Sequence, residues 1–348
     1  MRVLVAMSGG VDSSVAAALI KAEGHDVIGA TLRLWQGPNG EPPTAGCCTL
    51  SDSEDARRVA AQLDIPYYVL DYEAHFRKDV VERFVADYRH GRTPNPCVEC
   101  NRNVKFSKLL EQARTFGCDA LVTGHYSRVK REGSRFVLRR GLDRRKDQSY
   151  VLAMLEQDVL SRVRFPIGDL QKEETRALAA SLKLRTAAKA ESQDICFVGR
   201  GGYRQFLKEV DESVVSPGEI VDAGRIVGQH EGVAGFTVGQ RQGLGVALGE
   251  RRYVIAVRPE TSTVVLGGRS ELAVIQLHLE KITWTDAPLP PGSMVDVQYR
   301  AHGRAVPAHF EGDRLRFAEP EFAIAPGQTA AMYRGDQVLG SGIIARTS

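Results

Sequence analysis

Two sets of residues in this chain have types and spacings that could do chemistry. The first is Ser8-Gly9-Gly10-Val11-Asp12-Ser13-Ser14, which directly follows the apolar run Val3 to Met7. Adjacent glycines let backbone N–H groups approach a polyanion, and a helix opening at the serines presents its unpaired donors and positive dipole end to it. Ser8, Ser13 and Ser14 add hydroxyls, and Asp12 adds a carboxylate where a phosphate-bound magnesium ion needs one. The second set is thiols. Cys97 and Cys100 stand as Cys-Val-Glu-Cys, and Cys196 lies much further along. A Cys-x-x-Cys pair can be redox active or half of a zinc site. A second pair is missing, and no histidine stands at ligand spacing near Cys196, which argues against a closed tetrahedral zinc. A thiolate or persulfide near cations such as Arg92, Arg102 and Lys105 is a strong nucleophile at neutral pH. Three thiols converging beside a carbonyl oxygen that ATP has activated would perform sulfur transfer. Cys47 and Cys48 are neighbours that reach disulfide geometry with difficulty, and with Cys118 they read as packing residues.

The elements that must position these groups follow from the apolar pattern. Val3 to Met7 is long enough for one buried strand. From Ser13 the apolar spacing becomes three and four (Val15, Ala16, Leu19, Ile20), and Gly24 closes a helix. Val27 to Trp35 reads as a second strand, followed by a Gly- and Pro-rich loop from Gln36 to Gly46. Ser51 with Glu54 suggests a capping box for a helix to Leu63. Tyr67 to Tyr72 is a third strand and Ala74 to His90 a helix. Pro94 and Pro96 suggest a broken loop from Arg92 to Lys105 that keeps Cys97 and Cys100 out of a helix. A helix from Phe106 to Phe116 leads to the strand Ala120 to Thr123, which ends in Gly124-His125-Tyr126. Such alternation gives an α/β fold with a Rossmann-like parallel sheet, whose ligands sit at the carboxyl ends of the strands.

A basic hairpin, Ser127 to Arg140, comes next, then helical segments near Gln148 to Val159 and Glu173 to Leu184. Helical character is expected to fade after Glu191 to Phe197. From about Ser216 the chain is strand-like and glycine-punctuated. From Ile275 it is a series of short alternating strands such as Met294 to Tyr299, Arg314 to Phe317 and Thr329 to Tyr333. Gly243, Gly245 and Gly249 have the wrong spacing for a dinucleotide fingerprint and read as turn glycines. The expected organisation is a catalytic domain over 1–202, a small central linker domain over 203–270 and a C-terminal β-barrel over 271–348.

The 348 residues carry 43% hydrophobic and 26% charged side chains, the balance of a globular protein with a core in each domain. Met1 and Arg2 run straight into the first strand and no apolar run reaches membrane-spanning length, so a cytoplasmic location without membrane contact is expected. A net charge of +3 does not by itself demonstrate nucleic-acid binding. Nine basic residues between Arg128 and Lys146 stand against Glu132 and Asp143 alone. That stretch reads equally as a phosphate-binding patch or as a solvated hairpin face.

No Gly-Lys-Ser or Gly-Lys-Thr occurs, so the first motif is not a Walker loop. It resembles the signature of the PP-loop ATP pyrophosphatases, which cleave ATP between the α and β phosphates and activate a carbonyl oxygen as its adenylate. Adding Gly-Arg-Thr-Pro-Asn-Pro (91–96) with Cys100-Asn101, Thr123-Gly-His-Tyr, Lys146-Asp-Gln-Ser-Tyr, Ser192-Gln-Asp-Ile-Cys-Phe and Gly239-Gln-Arg-Gln-Gly-Leu-Gly, the whole chain resembles the bacterial tRNA-specific 2-thiouridylases. The resemblance implies ATP- and magnesium-dependent 2-thiolation of the wobble uridine in tRNAs for Lys, Glu and Gln. Carried over position by position, it implies ATP contacts at Ala6, Met7, Ser8, Gly9, Gly10, Val11, Asp12, Ser13, Leu32 and Gly124. Cys100 is the implied nucleophile and Cys196 the implied persulfide carrier, the two able to form a disulfide in turnover. Asn95, Pro96 and Cys97 are implied around the target base. His125, Lys146, Asp147, Gln148, Tyr299, Arg300 and Gln328 are implied tRNA contacts, which favours the phosphate-binding reading of the basic stretch.

One departure matters. Many members of that family carry Asp where this chain has Cys97. With Cys97, Cys100 and Cys196 present, three thiolates could instead hold a 4Fe-4S cluster whose open iron binds hydrosulfide. The implied sulfur source is a donor protein, either a persulfide relay or a cysteine desulfurase, or free sulfide. Two other functions fit parts of the pattern. One is a PP-loop ligase or amidotransferase that adenylates a small carbonyl compound and has no need of the cysteines. The other is a nucleotide-binding regulator or RNA chaperone without chemistry.

Overall fold

A computed structural model describes residues 1–37, 49–190, 195–198 and 201–348. Cys47, Cys48, most of the loop from Gln36 to Gly46 and the stretch Glu191 to Asp194 lie outside the described residues. The N-terminal part builds a five-stranded sheet from β1 (Arg2–Ala6), β2 (Asp26–Arg33), β3 (Tyr67–Asp71) and β4 (Ala120–Val122), with β5 (Ser127–Glu132) and β6 (Arg135–Arg140) diverging as a hairpin before β7 (Val163–Arg164). The order is β3-β2-β1-β4-β7 and every pair is parallel. Val3, Leu4 and Val5 of β1 are wholly buried, as a central strand covered on both faces requires. From β1 the chain first builds outward to β2 and β3 and then returns to place β4 on the other side. The crevice beyond the carboxyl ends of β1 and β4 is therefore the topological switch point, where α/β sheets take ligands.

Helix α1 (Val11–Ala22) starts two residues before the sequence reading places it and buries Val15, Ala16, Ala17 and Ile20 on the sheet. Helix α2 (Leu50–Gln62) is capped by Thr49 with Asp52 rather than by Ser51 with Glu54. The Asp52 N–H donates to Thr49 Oγ1 (3.1 Å) and the Thr49 N–H to Asp52 Oδ2 (3.0 Å). Glu54 instead pairs with Arg57 and Arg58 on the exposed face.

The Cys97–Cys100 segment is helical, which corrects the broken loop. Pro96 occupies the first helical position, where its missing N–H costs no hydrogen bond. The Asn95 side chain caps the end, accepting from the N–H groups of Cys97 (3.2 Å) and Val98 (3.3 Å). From there Pro96–Glu99 runs on through π-helical turns, Cys100–Leu109, into Leu110–Thr115. A second correction concerns the region after Cys196, where a helix, Gly202–Val210, stands in place of fading helicity.

The central part is a four-stranded sheet of β8 (Gly218–Asp222), β9 (Arg225–His230), β10 (Tyr253–Arg258) and β11 (Thr263–Gly267), ordered β10-β11-β8-β9. Gly243, Gly245 and Gly249 take φ of +68°, +73° and +73°, the left-handed turn conformations expected of them. The C-terminal part is a closed antiparallel barrel of β12 (Ala273–Trp284), β13 (Ser293–Gln298), β14 (Val306–Phe310), β15 (Arg314–Phe322), β16 (Thr329–Arg334) and β17 (Gln337–Thr347). Closure comes from β12, which pairs with both β15 and β17.

The basic hairpin β5–β6 joins this barrel rather than standing free. Arg139 of β6 pairs in register with Gln337 of β17. Asp336 receives Arg128 (2.9 Å) and Arg139 (2.6 Å), Asp286 receives Arg135 (2.6 Å), and Arg140 lies 3.6 Å from the Tyr333 ring centre while bonding Asp147 (2.9 Å). Arg145 pairs with Glu173. Much of the charge read as a phosphate-binding patch is thus neutralised by acids of the protein's own barrel and N-terminal part. Among the described residues, no helix is long and apolar enough to cross a membrane.

Candidate active site

A cavity of about 330 Å³ opens at the switch point, a volume that suits a nucleotide. Of the residues expected to contact ATP, Ala6, Met7, Ser8, Gly10, Val11, Asp12, Ser13, Leu32 and Gly124 line it. Gly9 shapes it from behind. Its φ of +70° is left-handed, and a Cβ there would lie 2.1 Å from the Asp52 carbonyl oxygen, so turn and α2 touch backbone to backbone. Gly124 is needed for the same reason, since its Cβ would meet the Ser13 nitrogen at 2.6 Å. The serines brace the turn. Ser13 Oγ accepts from the Ser8 N–H (3.1 Å), and the Ser13 and Ser14 hydroxyls donate to the Gly10 carbonyl (3.2 and 2.8 Å). Gly10 at the N-cap brings no side-chain acceptor, so no side chain caps the first N–H groups of α1.

Four further residues of the cavity, Lys172, Tyr126, Lys189 and Asp52, were not among those expected at the site. The Lys172 ammonium grips both oxygens of Asp12 (2.7 and 2.9 Å), and the Tyr126 hydroxyl donates to Asp12 Oδ1 (3.0 Å). Lys189 donates to the Gly9 carbonyl (3.0 Å), Asp52 (2.7 Å) and Asp55 (2.6 Å), joining the turn to the start of α2. Tyr126 lies within a motif and was legible. Lys172, Lys189 and Asp52 sit in ordinary helical and loop sequence far from the turn they serve, and nothing local marks them.

The thiols are placed unequally. Cys100 is buried, Cys196 is half-buried, and both pack into one apolar core. Lys105, on the same helical segment as Cys100, lines the cavity, as do Lys189 and Ala190. Cys97 is exposed. Among the described residues no three His, Cys, Asp or Glu side chains are gathered as a metal would need. Cys118 is buried beside β4, and burial raises its thiol pKa, in keeping with a packing residue.

Phe197 fixes the position of Cys196. Its ring lies 5.0 to 6.5 Å from those of Phe206, Phe84, Phe76 and Trp35 in a mostly edge-to-face cluster. Phe197→Ala is expected to cost about 3–5 kcal/mol, read from the denaturation midpoint.

Most residues expected to touch tRNA have partners within the protein. His125, Lys146 and Gln148 line the nucleotide cavity, and Gln148 Oε1 accepts from the Tyr126 N–H (2.9 Å). Asp147 is a buried strut that accepts from Arg140, the Gly141 N–H and Ser149. Tyr299 is buried with its hydroxyl on Glu321 (2.5 Å), and burial is the main cause that pushes its pKa up to about 12. Gln328 donates to the Thr93 carbonyl (2.7 Å), so the barrel holds the chain just ahead of Asn95, Pro96 and Cys97. Pro96 is buried and Asn95 serves as the cap. Arg300 is exposed, although its guanidinium donates to the Phe322 and Ala323 carbonyls.

His125 is enclosed by Phe106 and Phe165 and bonded to the Thr123 hydroxyl (2.6 Å). Burial, helped by Lys105, holds its pKa well below the ordinary 6.5, so it is neutral at pH 7. The unfolded chain protonates this histidine below about pH 6.5 and the folded chain does not. Stability is therefore expected to fall as pH drops below that value. His125→Gln should flatten this fall, measured by denaturant titrations on either side of pH 6.5.

Comparison with known proteins agrees along the whole chain. Residues 1–200 match the family model of a tRNA methyl transferase HUP domain, 204–268 that of a tRNA methyl transferase PRC-barrel domain, and 274–344 that of an aminomethyltransferase β-barrel domain. The tRNA-specific 2-thiouridylase MnmA of Roseiflexus sp. (strain RS-1) is 45% identical over 374 residues, covering 99% of both chains. The protein of that name from Carboxydothermus hydrogenoformans is 46% identical over 99% of this chain and 97% of its own. That of Chloroflexus aurantiacus is 47% identical over 99% and 98%. The domain models speak of methyl transfer and the full-length relatives of thiolation; two thiols packed into one apolar core accord with the second. With identity of this level spanning all three parts of the molecule, the chain belongs to the family of tRNA-specific 2-thiouridylases.

Proposed function

We propose that this protein thiolates C2 of the wobble uridine of tRNA, consuming ATP and forming AMP and pyrophosphate. The observation that carries this reading is the packing of Cys100 and Cys196 into one apolar core, with Lys105, five residues beyond Cys100, lining the nucleotide cavity. An enzyme that only adenylated a small carbonyl compound would have no use for that arrangement.

ATP sits with its phosphates on the Ser8 to Ser13 turn, and Asp12 would hold a magnesium ion, whose charge would offset that of the phosphates. The uridine C2 oxygen attacks the α-phosphorus. The bond to the bridging oxygen breaks, and pyrophosphate leaves with its electron pair. The terminal sulfur of a Cys196 persulfide then attacks C2 and AMP departs. The Cys100 thiolate next attacks Cys196 Sγ, which releases the thiocarbonyl and leaves a Cys100–Cys196 disulfide. A dithiol reductant restores both thiols, and a persulfide-bearing donor protein reloads Cys196. No step runs through an iron-sulfur cluster. We assign the enzyme to the cytoplasm, where tRNA and reducing thiols meet, with the tRNAs for Lys, Glu and Gln as substrates.

The test is pyrophosphate release on adding tRNA. Release should require ATP and a uridine at the wobble position, and should cease when that base is cytidine. Equal release with a small carbonyl compound and no RNA would overturn the assignment in favour of a ligase.

A further inference from the structure

The Asp12 carboxylate is where the proposed magnesium ion belongs, yet both its oxygens are engaged by one ammonium. We infer that Lys172 is an exchangeable counter-ion: it neutralises Asp12 while the nucleotide is absent, then turns to the triphosphate and releases Asp12 to the metal. This rests on the reading of the cavity as the ATP site.

Lys172 and Asp12 both line the cavity, so neither must cross a barrier of packed side chains to reach a phosphate. The Lys172 side chain is only 7% exposed, against 32% for Asp12. A buried ammonium needs an anion beside it, and Asp12 supplies one at 2.7 and 2.9 Å. The arrival of ATP brings several negative charges into the same space. Two anions cannot share one cation and a small cavity without a second cation to divide them. The arrangement of lowest charge repulsion gives the lysine to the phosphates and the carboxylate to the metal.

The backbone geometry allows only the side chain to move. Lys172 opens the helix Lys172–Ser181, and its own N–H is fixed to Asp143 Oδ2 (3.1 Å), whose side chain is 2% exposed. A lysine on such an anchor is a point charge on a flexible stem, suited to swinging between acceptors in a way that a planar guanidinium is not. Tyr126 is placed to keep Asp12 oriented through the exchange, because its hydroxyl touches both Asp12 Oδ1 and Thr175 Oγ1 at 3.0 Å. Lys189 makes the contrast. It is tied to the Gly9 carbonyl and two carboxylates that hold α2 against the turn, so moving it would loosen the turn itself.

The test uses the full chain, Mn²⁺ alone as metal probe, and an α,β-methylene analogue of ATP that cannot be cleaved. In Lys172→Met, analogue affinity in the presence of magnesium should fall at least about tenfold. Mn²⁺ alone should bind severalfold more tightly, because Asp12 has lost its competing cation. In Asp12→Asn, magnesium should no longer raise analogue affinity, while metal-free analogue binding should hold or tighten, because the lysine has been freed. These opposite signs separate exchange from a structural role, in which the metal and the analogue would weaken together. Weakening of both in Lys172→Met, or no change in either, overturns the proposal. Should Lys172→Met fail to fold, the Asp12→Asn pair of measurements decides alone: weaker metal-free binding there overturns it. If the unaltered protein does not bind the analogue, the assignment of the cavity is wrong, a failure distinct from that of Lys172 as a switch.

Discussion

Replacing Cys100 by serine is expected to lower tRNA thiolation by at least on the order of a thousandfold, the scale on which enzymes lose activity with their nucleophile. A hydroxyl at this position is almost wholly protonated at neutral pH and cannot attack the Cys196 sulfur. The loss should fall on one half of the reaction. Cys100 is not among the residues that line the nucleotide cavity, and its helix is held by the Asn95 cap and the Asn101 bond to the Val151 carbonyl (2.9 Å), neither of which involves the thiol. Pyrophosphate release on the first turnover and tRNA affinity should therefore be nearly intact, as measured by single-turnover quench and filter binding. Thiolation by Cys100→Ser at the ordinary rate would remove the thiol from the reaction. Cys196→Ser should behave alike, whereas Cys97→Ala should retain activity, since the exposed Cys97 has no part in the relay.

The second large effect is expected at Gly9. In Gly9→Ala the residue keeps a φ of +70° only at a cost of roughly 1–2 kcal/mol. The new methyl would also stand 2.1 Å from the Asp52 carbonyl oxygen, which belongs to backbone and cannot swing aside. Either the phosphate turn or the first turn of α2 must move, and Lys189 spans the two. ATP affinity is expected to fall at least about tenfold, measured by calorimetric titration with the uncleavable analogue, with tRNA affinity unchanged. Binding within twofold of the unaltered protein would show that the turn does not contact the phosphates.

The strand-turn-helix at Val3 to Ile20 was legible because every feature that makes it is local: a buried run, two glycines, then a change of period. The alternating pattern of β13 and β16 marked the barrel for the same reason. Pro96 misled because proline breaks a helix interior yet favours a helix start, and only the cap by Asn95 tells which applies. The capping box at α2 was displaced by two residues, since Thr49 and Ser51 are both competent caps and the packing of Asp52 against Gly9 chooses between them. Arg128, Arg135, Arg139 and Arg140 looked like a phosphate-binding face because their acids, Asp286 and Asp336 among them, lie far along the chain in the barrel. Lys172 was invisible for the same reason: its partner Asp12 stands at the other end of the catalytic domain, and single-sequence patterns do not reach across it.

One assay bears on the proposed activity more directly than any variant. The protein is incubated with ATP, magnesium, unmodified tRNA for Lys and a persulfide-loaded donor protein, and the digested nucleosides are separated and weighed by mass spectrometry. Appearance of 2-thiouridine at the wobble position, in step with AMP and absent when ATP is withheld, is the expected result. Unmodified uridine at that position despite a loaded donor, or thiolation that proceeds without ATP, would contradict it.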